Sequence, residues 1–171
     1  MRKVIALVGS ASVGKTTVFE ILKNKFPKYE FINESTRTVS KYGYRINEGG
    51  SDNTQLAIAA FHLKALLQPY NLILDRCMMD ALVYTRVTEV TESTRDYMQH
   101  IWDEVKDAYT HFIYFPIEFA AVDDGVRSVN EEWRKQIDDE FKVELDKLGR
   151  DYLTVTGSPM QRVKQIIDHV R

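Results

Sequence analysis

The run Gly9-Ser10-Ala11-Ser12-Val13-Gly14-Lys15-Thr16 constrains this chain more than any other feature. It fits the G-x-x-x-x-G-K-[ST] pattern of a phosphate-binding loop. Glycine tolerates backbone conformations that turn successive N–H groups toward one anion. A helix that starts directly after such a loop also turns its positive end to that anion. The pattern requires an apolar strand before it and an amphipathic helix after it, and both are present. Val4 to Val8 is an unbroken apolar run, and Val18, Phe19, Ile21, Leu22 and Phe26 recur at helical spacing before Pro27. Gly9, Ser12, Val13, Gly14, Lys15, Thr16 and Thr17 are therefore the expected nucleotide contacts. Lys15 would reach the β- and γ-phosphates, and the Thr16 hydroxyl would ligate Mg²⁺. The expected cofactors are ATP and Mg²⁺.

The rest of the chain alternates strand and helix patterns. Strands are expected at 29–33, 71–74, 111–115 and 152–155. Helices are expected at 34–42, 52–68, 80–90, 93–109, 130–148 and from Pro159 onward, with Asp52 as a cap and 44–51 as a mobile loop. This alternation predicts a doubly wound α/β/α three-layer fold with five parallel strands. The 171 residues, 44% of them apolar, suit a single domain over 1–171 with a short lid at about 120–134.

In such a sheet, ligands sit beyond the carboxyl ends of the strands. Glu34 follows the second strand and Asp75 ends the third. A phosphoryl-transfer enzyme needs one carboxylate at the attacking hydroxyl and commonly another near the metal. Glu34 and Arg37 lie one helical turn apart and suit an acceptor site. Asp75 suits the metal shell with Thr16, and Arg76 would lie near the acceptor. Asp80 and Tyr84, one turn apart, would line the same pocket or serve as a helix cap with a packed aromatic. Arg127 stands in the polar, glycine-containing segment Asp123-Asp124-Gly125-Val126-Arg127. There it would stabilise charge on the transferred group. Arg134 is either a second such residue or a solvated helix residue. Gly157-Ser158-Pro159 would receive an adenine ring, with Arg162 stacking on it. The four histidines show no metal-ligand spacing. Trp102, Tyr109, Trp133 and Phe141 are assigned to packing, and Cys77 to a buried position near the site.

Net charge is −2, which excludes a global basic field for nucleic acid but leaves a local groove open. One cysteine excludes an intrachain disulfide and suits a reducing, cytoplasmic setting. No apolar run is long enough to span a membrane.

The order of these residues resembles a known family. The phosphate loop is followed by Glu34-Ser35-Thr36-Arg37, by Asp75-Arg76 with Asp80 and Tyr84, then by Asp124-Gly125-Val126-Arg127 with Glu131 and Arg134, and by Gly157 and Arg162. This pattern resembles the small ATPase/kinase family typified by the ribosylnicotinamide kinase domain of bifunctional NAD-biosynthesis regulators, with its short bacterial and phage nucleotide kinase-like members. The resemblance implies a kinase-type P-loop fold with Mg·ATP as donor. It places Lys15 and Thr16 on the nucleotide, Glu34 and Arg37 at the acceptor, and Arg127 in the lid. The sequence lacks the adenylyltransferase domain and the N-terminal DNA-binding segment of the bifunctional proteins, so the acceptor stays open. The expectation is a kinase acting on a nucleoside-like or nucleotide acceptor. Two alternatives are a kinase acting on nucleic acid, at a 5′ end or a modified base, and a regulatory ATPase. No N-K-x-D sequence is present to specify guanine, and Asp75 is followed by Arg76 rather than by the second acid of an ATPase machine. The oligomeric state is left open.

Overall fold

The computed structural model describes residues 2–121 and 128–170. Five strands, β1 (Val4–Val8), β2 (Glu30–Ile32), β3 (Leu72–Asp75), β4 (His111–Tyr114) and β5 (Leu153–Thr154), form one parallel sheet in the order β2-β3-β1-β4-β5. Seven helices connect or follow them among the described residues: α1 (Lys15–Lys23), α2 (Thr36–Lys41), α3 (Asp52–Leu66), α4 (Met78–Val87), α5 (Glu92–Val105), α6 (Glu131–Lys147) and α7 (Pro159–Val170). This is the expected three-layer α/β/α fold.

The central strand explains the layers. All five β1 residues are buried, because β1 is paired on both edges and covered on both faces. Val4, Ala6 and Val8 pack with Leu74, Phe112 and side chains of α4, α5 and α6. Ile5 and Leu7 point the other way and join Ile73, Ile113 and Phe115 under α1 and α7. Period-two alternation thus feeds two cores from one apolar run. Trp102, Tyr109, Trp133 and Phe141 are all buried in the first of these, as their spacing predicts. No described helix is long and apolar enough to cross a membrane.

Register sets the level at which the strands end. Leu7 pairs with Asp75, Val8 with Tyr114 and Ile32 with Leu74. Gly9, Glu34, Asp75-Arg76 and Phe115 therefore emerge along one edge of the sheet.

Several element boundaries differ from the sequence reading, each for a local reason. Ser51, not Asp52, caps α3, accepting a hydrogen bond from the Thr54 N–H. Asp52 is instead drawn to the Thr91 N–H and hydroxyl, both at 2.9 Å. Helix α4 begins at Met78, two residues early, because Asp80 accepts the Cys77 N–H at 2.8 Å in a capping box. The 44–51 segment expected to be a mobile loop is tied down. The Thr54 hydroxyl donates to the Arg45 carbonyl at 2.8 Å, Asn47–Gly49 forms a 3₁₀ turn, and the Ser128 hydroxyl bonds Glu48.

At the junction of β1 with the following loop the chain passes close to the end of β4. Gly9 has φ +137°, and a methyl group there would collide with the Phe115 carbonyl oxygen just past β4. Gly9→Ala is expected to lower the unfolding free energy by about 2 kcal/mol or more in urea titration. An unchanged midpoint would mean that the loop can move away from β4 at little cost.

Candidate active site

Positive φ values at Gly9, Ser12 and Gly14 curl the 9–14 segment around the start of α1. Gly14 caps α1 without any side-chain hydrogen bond, so the first-turn N–H groups are not claimed by a capping side chain. Lys15 is buried, and its ammonium donates to the carbonyls of Gly9 at 2.7 Å and Ser10 at 2.5 Å. Burial, followed by the nearby Arg76, pushes its pKa down to about 7, against the pull of Asp75, Asp80 and Glu34. The Thr16 hydroxyl donates to Asp75 Oδ2 at 2.8 Å. Asp75 Oδ1 is buried with no hydrogen-bond partner, as is Ser12 Oγ. Burial raises the Asp75 pKa, opposed by Lys15.

Behind the loop stand two buried arginines. Arg134, on the first turn of α6, is fully buried; its Nε donates to the Ala11 carbonyl at 3.1 Å and its Nη1 to Glu131. In return the Ser10 hydroxyl donates to the Arg134 carbonyl at 3.0 Å. Arg162, on α7, is 2% exposed; its Nη1 donates to the Val13 carbonyl at 2.6 Å and its Nη2 to the Glu118 carboxylate. The sequence reading gave Arg162 to an adenine ring and left Arg134 between the lid and solvent. The structure instead turns both inward, because the curled loop leaves carbonyls that need donors on its outer side.

A pocket partly open to solvent lies on the other side of the β3 end. Its walls include Glu34, Thr36, Ile46, Asn47, Gln55, Ile58, His62, Arg76, Asp80 and Tyr84. Arg76 organises it. At φ +77° it leaves β3 in a left-handed turn, a conformation a non-glycine residue holds only under surrounding constraint. Its Nε donates to Glu34 Oε1 at 2.8 Å, and its Nη1 to Asp80 Oδ1 and the Tyr84 hydroxyl, both at 3.1 Å. The guanidinium also lies 5.2 Å from the Tyr84 ring centre. Burial raises the Asp80 pKa to about 6, although Arg76 and Lys15 lower it; burial likewise raises Tyr84.

Glu34, Arg76, Asp80 and Tyr84 are thus brought together as one cluster. Glu34 and Arg37 differ in their surroundings. Glu34 lies before α2 and pairs with Arg76, whereas Arg37 is exposed on α2 and is not among the lining residues. Asp80 is both cap and pocket wall, so its two readings hold together. Cys77 is buried, and burial raises its thiol well above the usual range. Arg127, with Asp123, Asp124, Gly125 and Val126, lies outside the described residues. Thr17 is exposed on the first turn of α1.

Gln55 and His62 are among the pocket residues missed from sequence. Gln55 Oε1 and His62 Nε2 are buried without hydrogen-bond partners, on the pocket side of α3. Burial and then Arg76 push His62 down to about 3, so its imidazole is neutral at pH 7. Residues 55, 58 and 62 share a helix face, but α3 is apolar nearly all round, and nothing local marks that face as a binding wall.

A family model described as an AAA domain matches residues 4–162. No curated protein matches the sequence. Among solved structures, the NadR protein in complex with NR is similar, with a TM-score of 0.81 at 17% identity. The match covers 98% of this chain and 51% of that one, so this chain spans about half the NadR length. Deoxyadenosine kinase from M. mycoides, with dCMP and a flexible dCDP bound, matches with a TM-score of 0.75 at 16% identity, over 98% of this chain and 97% of that one. Thymidylate kinase from Candida albicans matches with a TM-score of 0.70 at 17% identity, over 99% and 91%. These likenesses share the P-loop kinase fold.

Arg76→Met removes the guanidinium that bridges Glu34 and Asp80. Breaking such a pair costs about 3–5 kcal/mol. Asp80 already titrates near pH 6 when folded, above its ordinary 3.8, so its share of stability falls as pH rises through that interval. Without Arg76 this carboxyl titrates higher still. The stability gap between wild type and Arg76→Met, read from urea unfolding, is therefore expected to widen from pH 5 to pH 8. A gap independent of pH would mean that the cation is not what holds Asp80 ionised.

Proposed function

We propose, from the premise that this chain belongs to the AAA-domain family matched above, that it is a kinase using Mg·ATP to phosphorylate a nucleoside-like or nucleotide acceptor. One observation carries the reading. A phosphate loop and a pocket lined by polar and apolar side chains meet at the end of β3, with Asp75 turned to the loop and Arg76 to the pocket.

The residues present fit the nucleotide and its metal. Lys15 is a buried ammonium on a curled loop at an uncapped helix start, and a bound triphosphate would restore its charge. Among the described residues, no three His, Cys, Asp or Glu side chains cluster to hold a metal alone. A Mg²⁺ ion would therefore rely on the Thr16 hydroxyl, Asp75 and phosphate oxygens, and the buried Asp75 Oδ1 without a partner suits that shell. Bound Mg·ATP would supply the transferable phosphoryl group and neutralise its charge.

The chain's own residues would do the rest. Glu34 would take the proton of the acceptor hydroxyl as that oxygen bonds the transferred phosphorus and ADP departs. Arg76 holds Glu34 in place through its 2.8 Å hydrogen bond. Gln55 and His62 offer polar atoms to the acceptor's heterocycle while Ile46 and Ile58 supply apolar wall. A pocket walled by Gln55, Ile58, His62 and Tyr84 suits a small acceptor better than a nucleic acid strand. The NR complex of the NadR protein and the dCMP complex of deoxyadenosine kinase support an acceptor of this class. Arg127 is assigned to the developing γ-phosphoryl charge on sequence grounds alone.

Glu34→Gln is expected to keep Mg·ATP affinity and lose transfer by on the order of 10²-fold or more, since an amide cannot take the proton. Asp75→Asn is expected instead to weaken the Mg²⁺ requirement and nucleotide binding together. Titrating Mg²⁺ and ATP against both variants tests the division; the reverse pattern would make Asp75 the base.

Gln55→Leu keeps the side-chain volume but removes its polar edge. It is expected to raise KM for the acceptor by about tenfold or more with KM for ATP unchanged. A rise in KM for ATP instead would remove Gln55 from the acceptor pocket.

A further inference from the structure

With Arg162 turned inward, another residue must meet the base of a bound nucleotide. The space beside the phosphate loop identifies it. A methyl group at Gly14 would lie 3.1 Å from Arg162 Nη1 and 3.6 Å from Cζ of Phe119. Phe119 follows β4 by five residues and is 47% exposed, whereas the loop beside it is mostly buried. The Arg162 guanidinium lies 5.8 Å from the Phe119 ring centre and 5.5 Å from that of Phe115. Phe119 is the exposed member of this Phe115–Arg162–Phe119 group.

We propose that Phe119 is the platform on which the base of the nucleoside triphosphate stacks, and that the base is held by its face rather than read at its edge. The inference rests on the nucleotide reading of the phosphate loop. Proximity is the first argument: the ring lies beside the residue that closes the loop. Rigidity is the second. Arg162 is fixed by the Val13 carbonyl and Glu118, so the ring rests on a firm support and little freedom is lost on stacking.

The third argument concerns the base edge. The turn after β5, where an adenine edge would be read, has its N–H groups already engaged. Gly157 N–H is bonded to the two Glu118 oxygens at 3.3 and 3.1 Å. Ser158 N–H is bonded to Gln161 Oε1 at 2.8 Å, and Thr156 N–H to Gln165 Oε1 at 3.1 Å. With these three N–H groups engaged, a stacking platform tolerates any purine, because every base has a π-face.

Equilibrium binding by calorimetry tests this without needing the acceptor. The wild type, Phe119→Ala and Phe119→Trp would each be titrated with Mg·ATP, Mg·GTP and Mg·tripolyphosphate. Wild type is expected to bind ATP and GTP with affinities within about threefold of each other. Phe119→Ala is expected to weaken both by about tenfold or more and leave tripolyphosphate unchanged, while Phe119→Trp retains both nucleotides. Unchanged ATP affinity in Phe119→Ala, or a strong preference of wild type for one purine, overturns the inference. So does an equal loss for tripolyphosphate, which would make Phe119 a prop of the loop. If wild type bound neither ATP nor tripolyphosphate, the kinase reading would fall as well.

Discussion

Two opposite charges stand side by side at the end of β3, and the site is built by sending them in different directions. Asp75 continues the strand and meets the Thr16 hydroxyl under the phosphate loop. Arg76 breaks into a left-handed turn and carries its guanidinium to Glu34, Asp80 and Tyr84. Had both side chains faced the same way, they would have paired with each other. Parted, each organises a compartment: Asp75 the loop side, Arg76 the pocket side. The cost of the strained φ is on the order of 1–3 kcal/mol, and the ion pairs to Glu34 and Asp80 hold the turn against it.

The loop side depends on a second arrangement of buried charge. A peptide curled to aim N–H groups inward leaves carbonyls outward, and burial forbids leaving those unpaired. Lys15 takes the carbonyls of Gly9 and Ser10, Arg134 that of Ala11, and Arg162 that of Val13. Three cations thus brace successive parts of one short turn. Their carboxylate partners, Glu131 for Arg134 and Glu118 for Arg162, sit further out, with 54% and 32% of their side chains exposed. The positive charge is therefore concentrated at the loop and compensated at the surface, the electrostatic form that suits an anion. Arg134 also ties the loop to the residues flanking the expected lid, since its Nη2 donates to the Phe119 carbonyl and Glu131 accepts the Ala121 N–H.

Much of this was readable in the sequence because it is local. The phosphate loop is a contiguous pattern, the β1 run and the α6 stripe are periodic, and strand-end carboxylates follow from the strands themselves. What was missed depends on partners far apart in the chain. Glu34 could be matched to Arg37 by helical spacing, but its bond to Arg76, 42 residues on, joins two loops that no local pattern connects. Arg134 and Arg162 lie in helices rich in charge, where Arg134 reads as a lid or solvated residue and Arg162 as an adenine contact; only the curled loop packed against them makes them internal. Gln55 and His62 carry no pattern at all, since α3 is apolar on nearly every face and its polar residues gain meaning only from the pocket opposite.

The central claim is that the two compartments cooperate in transfer to a small acceptor, rather than in hydrolysis. The direct measurement is to supply γ-labelled ATP and Mg²⁺ with a panel of nucleosides, nucleotides and oligonucleotides, and to follow both the label and the ADP formed. The account predicts that one nucleoside or nucleotide class takes up the label in equal measure with ADP, and that ADP formation is slow without it. Label released as inorganic phosphate at one rate, whatever acceptor is present, would contradict it and identify the protein as an ATPase.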